Sequence, residues 1–464
     1  MSISEQKRAV SPSRGKSSAR DMTTGNIILH LIGFSLPLIF GNLFQMLYNT
    51  VDSLVVGNFV GKEALAAVGA TTMIVNMLVF FFNGVSIGAG VVISRFYGAK
   101  NDRRLHDAVE TTIFVTLVCS VVFTIVGILM VDPMLRFMST PDDVMEAATT
   151  YLRIYFGGIS GLLVYNMGSA ILRAVGDTRR PLLFLILTSV INIVLDLFFV
   201  LVLHMGIAGV AYATIIAQFI SAILIMLVLM RTRDVYYFRW RDLRCDGAIV
   251  ADIFRIGLPA GVQAVITSFS NVFVQSYINH FGSACMAGFS CYNKMDMFIM
   301  LPMQSIGQAA TTFVGQNVGA GKEDRVNRGT VLSLVLVEAV TMFIAAALFI
   351  FADKSIGIFT SDLDVIYYGV LFMRTNVLFL MFNCINHTLA GALRGRGDST
   401  GPMVIMLSCF VVIRQIYLFL ATRFIANTPR IVGFGYPVGW VTCSIVETLY
   451  FYIRWGRKRR AQNA

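Results

Sequence analysis

Charge is what this chain has least of: 14% of its 464 residues are Asp, Glu, Lys or Arg, against 56% hydrophobic. A soluble protein of this length needs far more charge to cover its surface. Proline is scarce as well, at 10 residues, which leaves long apolar stretches free to be helical. The seven cysteines (Cys119, Cys245, Cys285, Cys291, Cys384, Cys409 and Cys443) are scattered and odd in number. They form no CxxC or Cys/His cluster, so neither a disulfide framework nor a zinc site is indicated; Cys285 and Cys291 are the one pair whose spacing leaves a bridge open. Met1 to Thr24 is polar and lacks the apolar core of a signal peptide; it reads as a disordered cytoplasmic tail. The short alternating segments of a membrane β-barrel are missing too. Residues Gly315-Gln-Asn-Val-Gly319-Ala-Gly321-Lys322-Glu323 fail as a phosphate loop, because the spacing is wrong and Glu323 replaces the magnesium-holding Ser or Thr. ATP is therefore not expected to drive this protein directly.

What the chain does have is length in its apolar runs. Crossing the hydrocarbon core takes about 20 such residues. Runs of that size lie near 27–58, 64–93, 108–131, 146–170, 181–203 and 207–230, then near 250–281, 285–314, 329–352, 366–392, 402–425 and 433–455. That makes an all-α membrane protein of twelve transmembrane helices. The first run is long and carries Pro37, so a bent or tilted helix is expected there.

The two sets of six repeat one another. Leu172-Arg173-Ala-Val-Gly176-Asp177 returns in the second half as Leu393-Arg394-Gly-Arg-Gly397-Asp398, and at the same offset Gly98-Ala99 returns as Gly319-Ala320. Two pseudo-symmetric six-helix lobes follow, with a cavity between them, as many secondary transporters are built. The expected division is a tail over 1–25, a first lobe over 26–231, a linker over 232–249, a second lobe over 250–455 and a basic tail over 456–464. The repeated LRxxGD reads as helix stop, loop and helix start rather than as a ligand motif.

A net charge of +11 raises nucleic acid or an anionic membrane face as partners. The basic residues sit in short gaps between apolar runs, which excludes a nucleic-acid module. They concentrate after even-numbered spans and in both tails, which places the termini and the central linker on the cytoplasmic side.

Ionisable groups inside spans are costly, and each is a functional hypothesis. Asp52 lies in span one and Asp196 about 22 Å along span five. Asn192 and Tyr48 stand one helical turn before these acids, on the same helix faces. Thr214 lies about one-third of the way into span six. This oxygen-rich set suits a small hard cation, and two neighbouring carboxylates could equally share a proton. The second half holds Lys294, Asp296, Glu338, Arg414 and Glu447 instead. Arg414 is expected to pair with Glu338 or Glu447 or to line the cavity, alongside Gln263, Asn271 and Asn383.

At these residues the chain resembles the multidrug and toxic compound extrusion (MATE) family. The likeness rests on Pro37 with Tyr48 and Asp52, on Asn192 with Asp196, on Thr214, and on the repeated Gly-Ala loops after spans two and eight. The resemblance implies a V-shaped pair of lobes that open alternately. It implies export of small organic cations or amphiphilic drugs in exchange for Na+ or H+, with no cofactor. The family's cation site carries over onto Asp52, Asn192, Asp196 and Thr214, with Tyr48 beside it. Second-lobe spans seven and ten lack the carboxylates some members use there. A monomer in a bacterial plasma membrane is expected. The alternative is a lipid-linked oligosaccharide flippase of related architecture, which calls for a strongly basic cavity. An enzyme is not expected, since no catalytic cluster stands at a membrane face.

Overall fold

In the computed structural model, which describes residues 19–456, the apolar runs are helices and the described residues contain no strand. The first half comprises α1 (Ile27–Val55), α2 (Lys62–Gly98), α3 (Asp102–Phe137), α4 (Asp142–Gly157), α5 (Ile159–Ala174), α6 (Arg179–Leu197) and α7 (Gly206–Arg231). The second comprises α8 (Gly247–Asn279), α9 (Ser283–Gly319), α10 (Glu323–Ile350) with the short α11 (Ala352–Gly357), α12 (Leu363–Val377), α13 (Leu380–Gly395), α14 (Thr400–Leu407), α15 (Arg414–Phe424), the short α16 (Pro429–Gly433) and α17 (Gly435–Phe451). The internal repeat is visible in the boundaries: α2 and α9 begin and end at one constant offset, which α5 and α13 share.

Eight helices are long and apolar enough to cross a membrane alone. Two more spans are broken helices: α4 and α5 meet at 48°, and α12 and α13 at 54°. Reading 146–170 and 366–392 as single helices missed these breaks. Gly157 and Gly158 supply the first one, since glycine weakens a helix interior. The long, more polar α9 and the 17-residue α17 complete twelve, each in the place of its counterpart α2 or α7. Pro37 lies within α1, which runs unbroken through it. Side-chain caps start several helices: Asn26 accepts from the N–H of Ile28 at 2.9 Å and Asp246 from that of Ala248 at 2.9 Å.

The expectation of a disordered tail as far as residue 25 needs correcting. Met22 is fully buried among Leu31, Phe34 and Phe313, and Arg325 donates to the carbonyls of Met22 and Thr24 at 3.0 and 2.9 Å. Apolar burial and charged donors hold this stretch down. The rest of that tail, and the basic tail after residue 456, lie outside the described residues. Cys285 and Cys291 are free thiols, so the bridge their spacing left open is not formed.

The lobes meet through α2 against α8 and α9, and through α1 against α9. Glycine makes the approach possible. Gly84 and Gly88 face Gly261 and Gly257, where a Cβ on Gly257 would stand 2.7 Å from the Cα of Val85. Lower down, Gly98 abuts the backbone of Gln316 and Gly319 abuts that of Arg95. These two contacts are images of each other under the internal repeat. Arg95 donates across the junction to the carbonyl of Arg396 at 2.8 Å, and Gln316 to that of Ala174 at 2.8 Å. Asn42 to Ser305, at 3.4 Å, is the hydrogen bond between lobes farthest from the basic loops among the described residues. The junction is thus sealed at the basic-loop end.

Candidate cation site in the first lobe

Asp52 and Asp196 sit just before the places where α1 and α6 lose α-helical winding. A π-turn follows each, at Val56–Val60 and Phe198–Val202. Such turns re-aim side chains and recur at functional sites. Helix α1 packs on α6, and α6 on α7, so the three elements carrying the sequence-derived set are neighbours.

The side chains converge. The carboxyl groups of Asp52 and Asp196 lie within hydrogen-bonding reach of each other, from separate helices. Asp196 is fully buried and Asp52 is 9% exposed. With its amide turned so that both ends find partners, Asn192 donates to Asp196 Oδ2 at 3.2 Å and accepts from the N–H of Thr214 at 3.2 Å. Tyr48 lies near Thr214, whose hydroxyl donates to the Val210 carbonyl at 3.1 Å, and in the field of both acids. One oxygen on each acid, Oδ1 in both cases, has no donor.

Sequence reasoning missed part of this pocket. Tyr151 and Tyr155, one turn apart on α4, are buried and stacked at 6.2 Å between ring centroids. Tyr151 lies in the field of Asp52 and Asp196. Tyr155 lies near Gln218 of α7, whose buried Oε1 has no hydrogen-bond partner. The available signal was the i, i+4 spacing of two polar-tipped rings in an otherwise apolar span.

The second lobe fills the matching place differently. The repeat carries Tyr151 and Tyr155 onto Phe372 and Asn376, both buried. Arg414 stands next to the slot matching Asn192, immediately after a π-turn at Ser408–Ile413. The expected pairing of Arg414 with Glu338 or Glu447 does not form. Its guanidinium donates to Ser270 Oγ at 2.6 Å and Asn271 Oδ1 at 2.9 Å, and lies 5.2 Å above the Tyr436 ring. Neutral oxygens and a π face suffice, because Arg spreads its charge over five donors. Glu447 instead lies in the field of Arg394. Gln263 accepts from Arg394 at 2.8 Å and donates to Met406 Sδ at 2.8 Å. Asn383 is buried, with its amide 3.5 Å from Met300 Sδ. Gln263, Asn271, Asn383 and Arg414 therefore do not form one cluster: Asn271 and Arg414 do, and the other two sit apart. A separate cavity opens between the lobes, lined by Asn83, Arg173, Gln308 and Thr311 among others.

The Gly and Asp of the repeated LRxxGD are architectural in both copies. Gly176 and Gly397 take φ values of 88° and 79°, where only glycine is at ease. Asp177 accepts from the N–H groups of Arg179 and Arg180, both at 3.2 Å, and Asp398 from that of Gly401 at 3.1 Å.

Two repeated bundles of membrane-crossing helices, with a pair of neighbouring sheltered acids in the first of them, define a secondary-transporter architecture. The MatE family model matches residues 37–198 and 259–420, and the chain belongs to that family, whose members are transporters and not enzymes. It is similar to the probable multidrug resistance protein YpnP of Bacillus subtilis, at 30% identity over 94% of this chain and 98% of that one. It is also similar to the probable multidrug resistance protein NorM of Thermotoga maritima, at 28% identity and 81% of each chain. Among solved structures, a MOP superfamily transporter from Pyrococcus furiosus matches with a TM-score of 0.88 at 24% identity, over 95% of this chain and 98% of that one. A MATE structure in the bent conformation matches at 0.90 and 24% identity, over 96% and 98%. The structural likeness establishes the fold.

Proposed function

We propose that this protein is a cation-coupled antiporter that exports organic cations or amphiphilic drugs in exchange for Na+ or H+. The observation that carries this reading is the meeting of the Asp52 and Asp196 carboxyls, contributed by α1 and α6, in a buried pocket. Two ionised carboxylates in such a site repel unless a cation is shared between them. A proton serves, and so does a small hard cation, because the acids and the nearby hydroxyls of Thr214 and Tyr48 offer oxygen ligands while the Asn192 amide holds Asp196 in place. Loading the pair lets α1 settle against α6, and unloading drives the acids apart. Coupling requires a difference of this kind between conformations. The names of the YpnP and NorM relatives support drugs as cargo.

The basic loops lie on the cytoplasmic side, with both termini inside a bacterial plasma membrane, and the working unit is a monomer. The test is dye efflux from proteoliposomes with sodium and pH gradients imposed separately. One gradient drives efflux in the wild type and neither does in Asp52→Asn or Asp196→Asn. Efflux that ignores both gradients, or that persists in both variants, overturns the mechanism.

A further inference from the structure

The linker between the lobes carries a second cluster, remote from the acids of α1 and α6. It runs from the end of α7 to α8, and its Tyr236 and Phe238 are buried in the first lobe's core. A short 3-10 turn follows, Trp240–Asp242. It brings Asp242 to His106 and Glu110, one turn apart on α3. The imidazole and the two carboxylates each offer a ligand atom, all within 4.8 Å of one another.

Two observations show that this is more than a charged patch. His106 Nδ1 lies 3.2 Å from the carbonyl oxygen of Tyr237. A carbonyl only accepts, so a proton sits on Nδ1, and Nε2 is the nitrogen that faces the acids, whether to ion-pair with them when protonated or to ligate a metal when not. A ring fixed this way by a backbone carbonyl is the usual support of a metal-binding histidine. The second observation is Glu110. Its side chain is 1% exposed, and Oε1, though 2.7 Å from His106 Nε2, lacks the alignment of a hydrogen bond and has no donor. Asp242 Oδ2 is 3.9 Å from the same nitrogen. One ligand atom from each of the three side chains is thus gathered within 4.8 Å, with the buried Glu110 oxygen left without a hydrogen-bond donor.

We infer that His106, Glu110 and Asp242 bind a divalent transition-metal ion, which ties the inter-lobe linker to α3. One imidazole and two carboxylates suit Zn2+, Mn2+ or Co2+, with water completing the shell. The site lies in the first lobe's basic-loop region and is independent of the transported cation.

The experiment uses the full-length, tag-free protein in detergent or nanodiscs. Zn2+ alone is titrated calorimetrically, and Co2+ is followed by its visible absorption. Cys245 is exposed and three residues from Asp242, so a Cys245→Ser background excludes capture by that thiol. The expected result is one ion per chain in wild type and in Cys245→Ser. His106→Gln and Asp242→Asn each weaken it by more than about tenfold, and the metal-induced rise in melting temperature disappears in both. Two different variants guard against misfolding of either, and normal gel-filtration profiles confirm their fold. Equal affinity in wild type and both variants, loss of binding in Cys245→Ser, or no saturable binding in the micromolar range overturns the proposal.

Discussion

At the scale of single residues, the first lobe separates what a side chain costs from what it does. Burying two carboxylates against each other is unfavourable without a proton or cation between them, which is why the proposed mechanism gives the pair one to share. Replacing either acid by Asn keeps shape and hydrogen bonding but removes the charge. Asp52→Asn and Asp196→Asn are each expected to abolish gradient-driven dye efflux at normal expression, while the protein still inserts. A milder test concerns Thr214. Thr214→Ser keeps the buried hydroxyl and the backbone contact to Asn192, whereas Thr214→Val removes that hydroxyl from the pocket. Losing a buried hydroxyl beside other buried polar groups costs about 1–3 kcal/mol. Thr214→Val should therefore raise the ion concentration for half-maximal efflux by roughly tenfold or more, with Thr214→Ser near wild type. Much of this pocket was legible in the sequence, because an acid in an apolar span is conspicuous and helical spacing tells which neighbour shares its face. Tyr151 and Tyr155 were not, because a tyrosine in a membrane helix looks like any packing aromatic until a tertiary contact shows where its hydroxyl points. Arg414 misled for the opposite reason: a buried cation invites a search for an acid, and neutral partners leave no such mark.

At the scale of elements, glycine placement decides how closely helices approach. Twelve runs were readable from hydropathy, but the breaks inside two of them were not. A bend of 48° or 54° at one or two residues leaves the mean hydropathy unchanged. The α2–α9 contact is equally silent in sequence, although Gly98 and Gly319 stood in the repeat that revealed the duplication. No side chain fits at either position, where the facing backbone occupies the Cβ site. Gly98→Val is expected to destabilise the seal by about 1–3 kcal/mol through overpacking and to reduce transport strongly. Gly61→Val at the far end of α2, with nothing near its Cβ but a φ of 119°, carries backbone strain alone and leaves the seal intact. Cysteine cross-linking of α2 to α9 distinguishes the two. The loops before α6 and α14 make a second point. Burial holds Asp177 above the ordinary carboxylate range, although N–H donors and Arg180 pull the other way. A folded-state value raised above the unfolded one means that this stabilisation is complete below the unfolded value and is lost as pH rises through the folded one. Ionisation is thus a cost at neutral pH. Asp177→Asn, which keeps the acceptor for two N–H groups and removes the cost of ionisation, should melt no lower than wild type at pH 7, and Asp177→Ala should lose about 1 kcal/mol.

At the scale of the molecule, the question is what keeps one end shut. Residues 20–24 lie across the junction like a strap. On the first lobe the N–H of Arg20 donates to the carbonyl of Val175 at 3.0 Å. On the second, Gln316 accepts from the N–H of Met22 at 2.9 Å, Lys322 donates to Thr23 at 2.8 Å, and Arg325 binds the carbonyls of Met22 and Thr24. Asp21 adds charge complementarity. Burial would raise its pKa, but the hydroxyl and N–H of Thr23, with Lys100 and Lys322 nearby, hold it below the usual carboxylate range. A depressed value gives a contribution complete above the unfolded pKa and lost only as pH falls through the folded one, so the strap stays charged at neutral pH. Opening the lobes toward the basic loops has to part these contacts, because they tie one lobe to the other. Arg325→Gln removes the charge and its paired donors to Met22, each charge-assisted bond contributing about 1.5–3 kcal/mol where buried and less in this half-buried setting. Spin labels on the loops after α2 and α9 should then report a longer-distance population in Arg325→Gln that is rare in wild type, with drug efflux altered while Asp52 and Asp196 are untouched. Identical distance distributions in the two proteins would leave the seal to the glycine contacts of α2 with α8 and α9 and to the Arg95 and Gln316 hydrogen bonds, and the strap as packing without leverage.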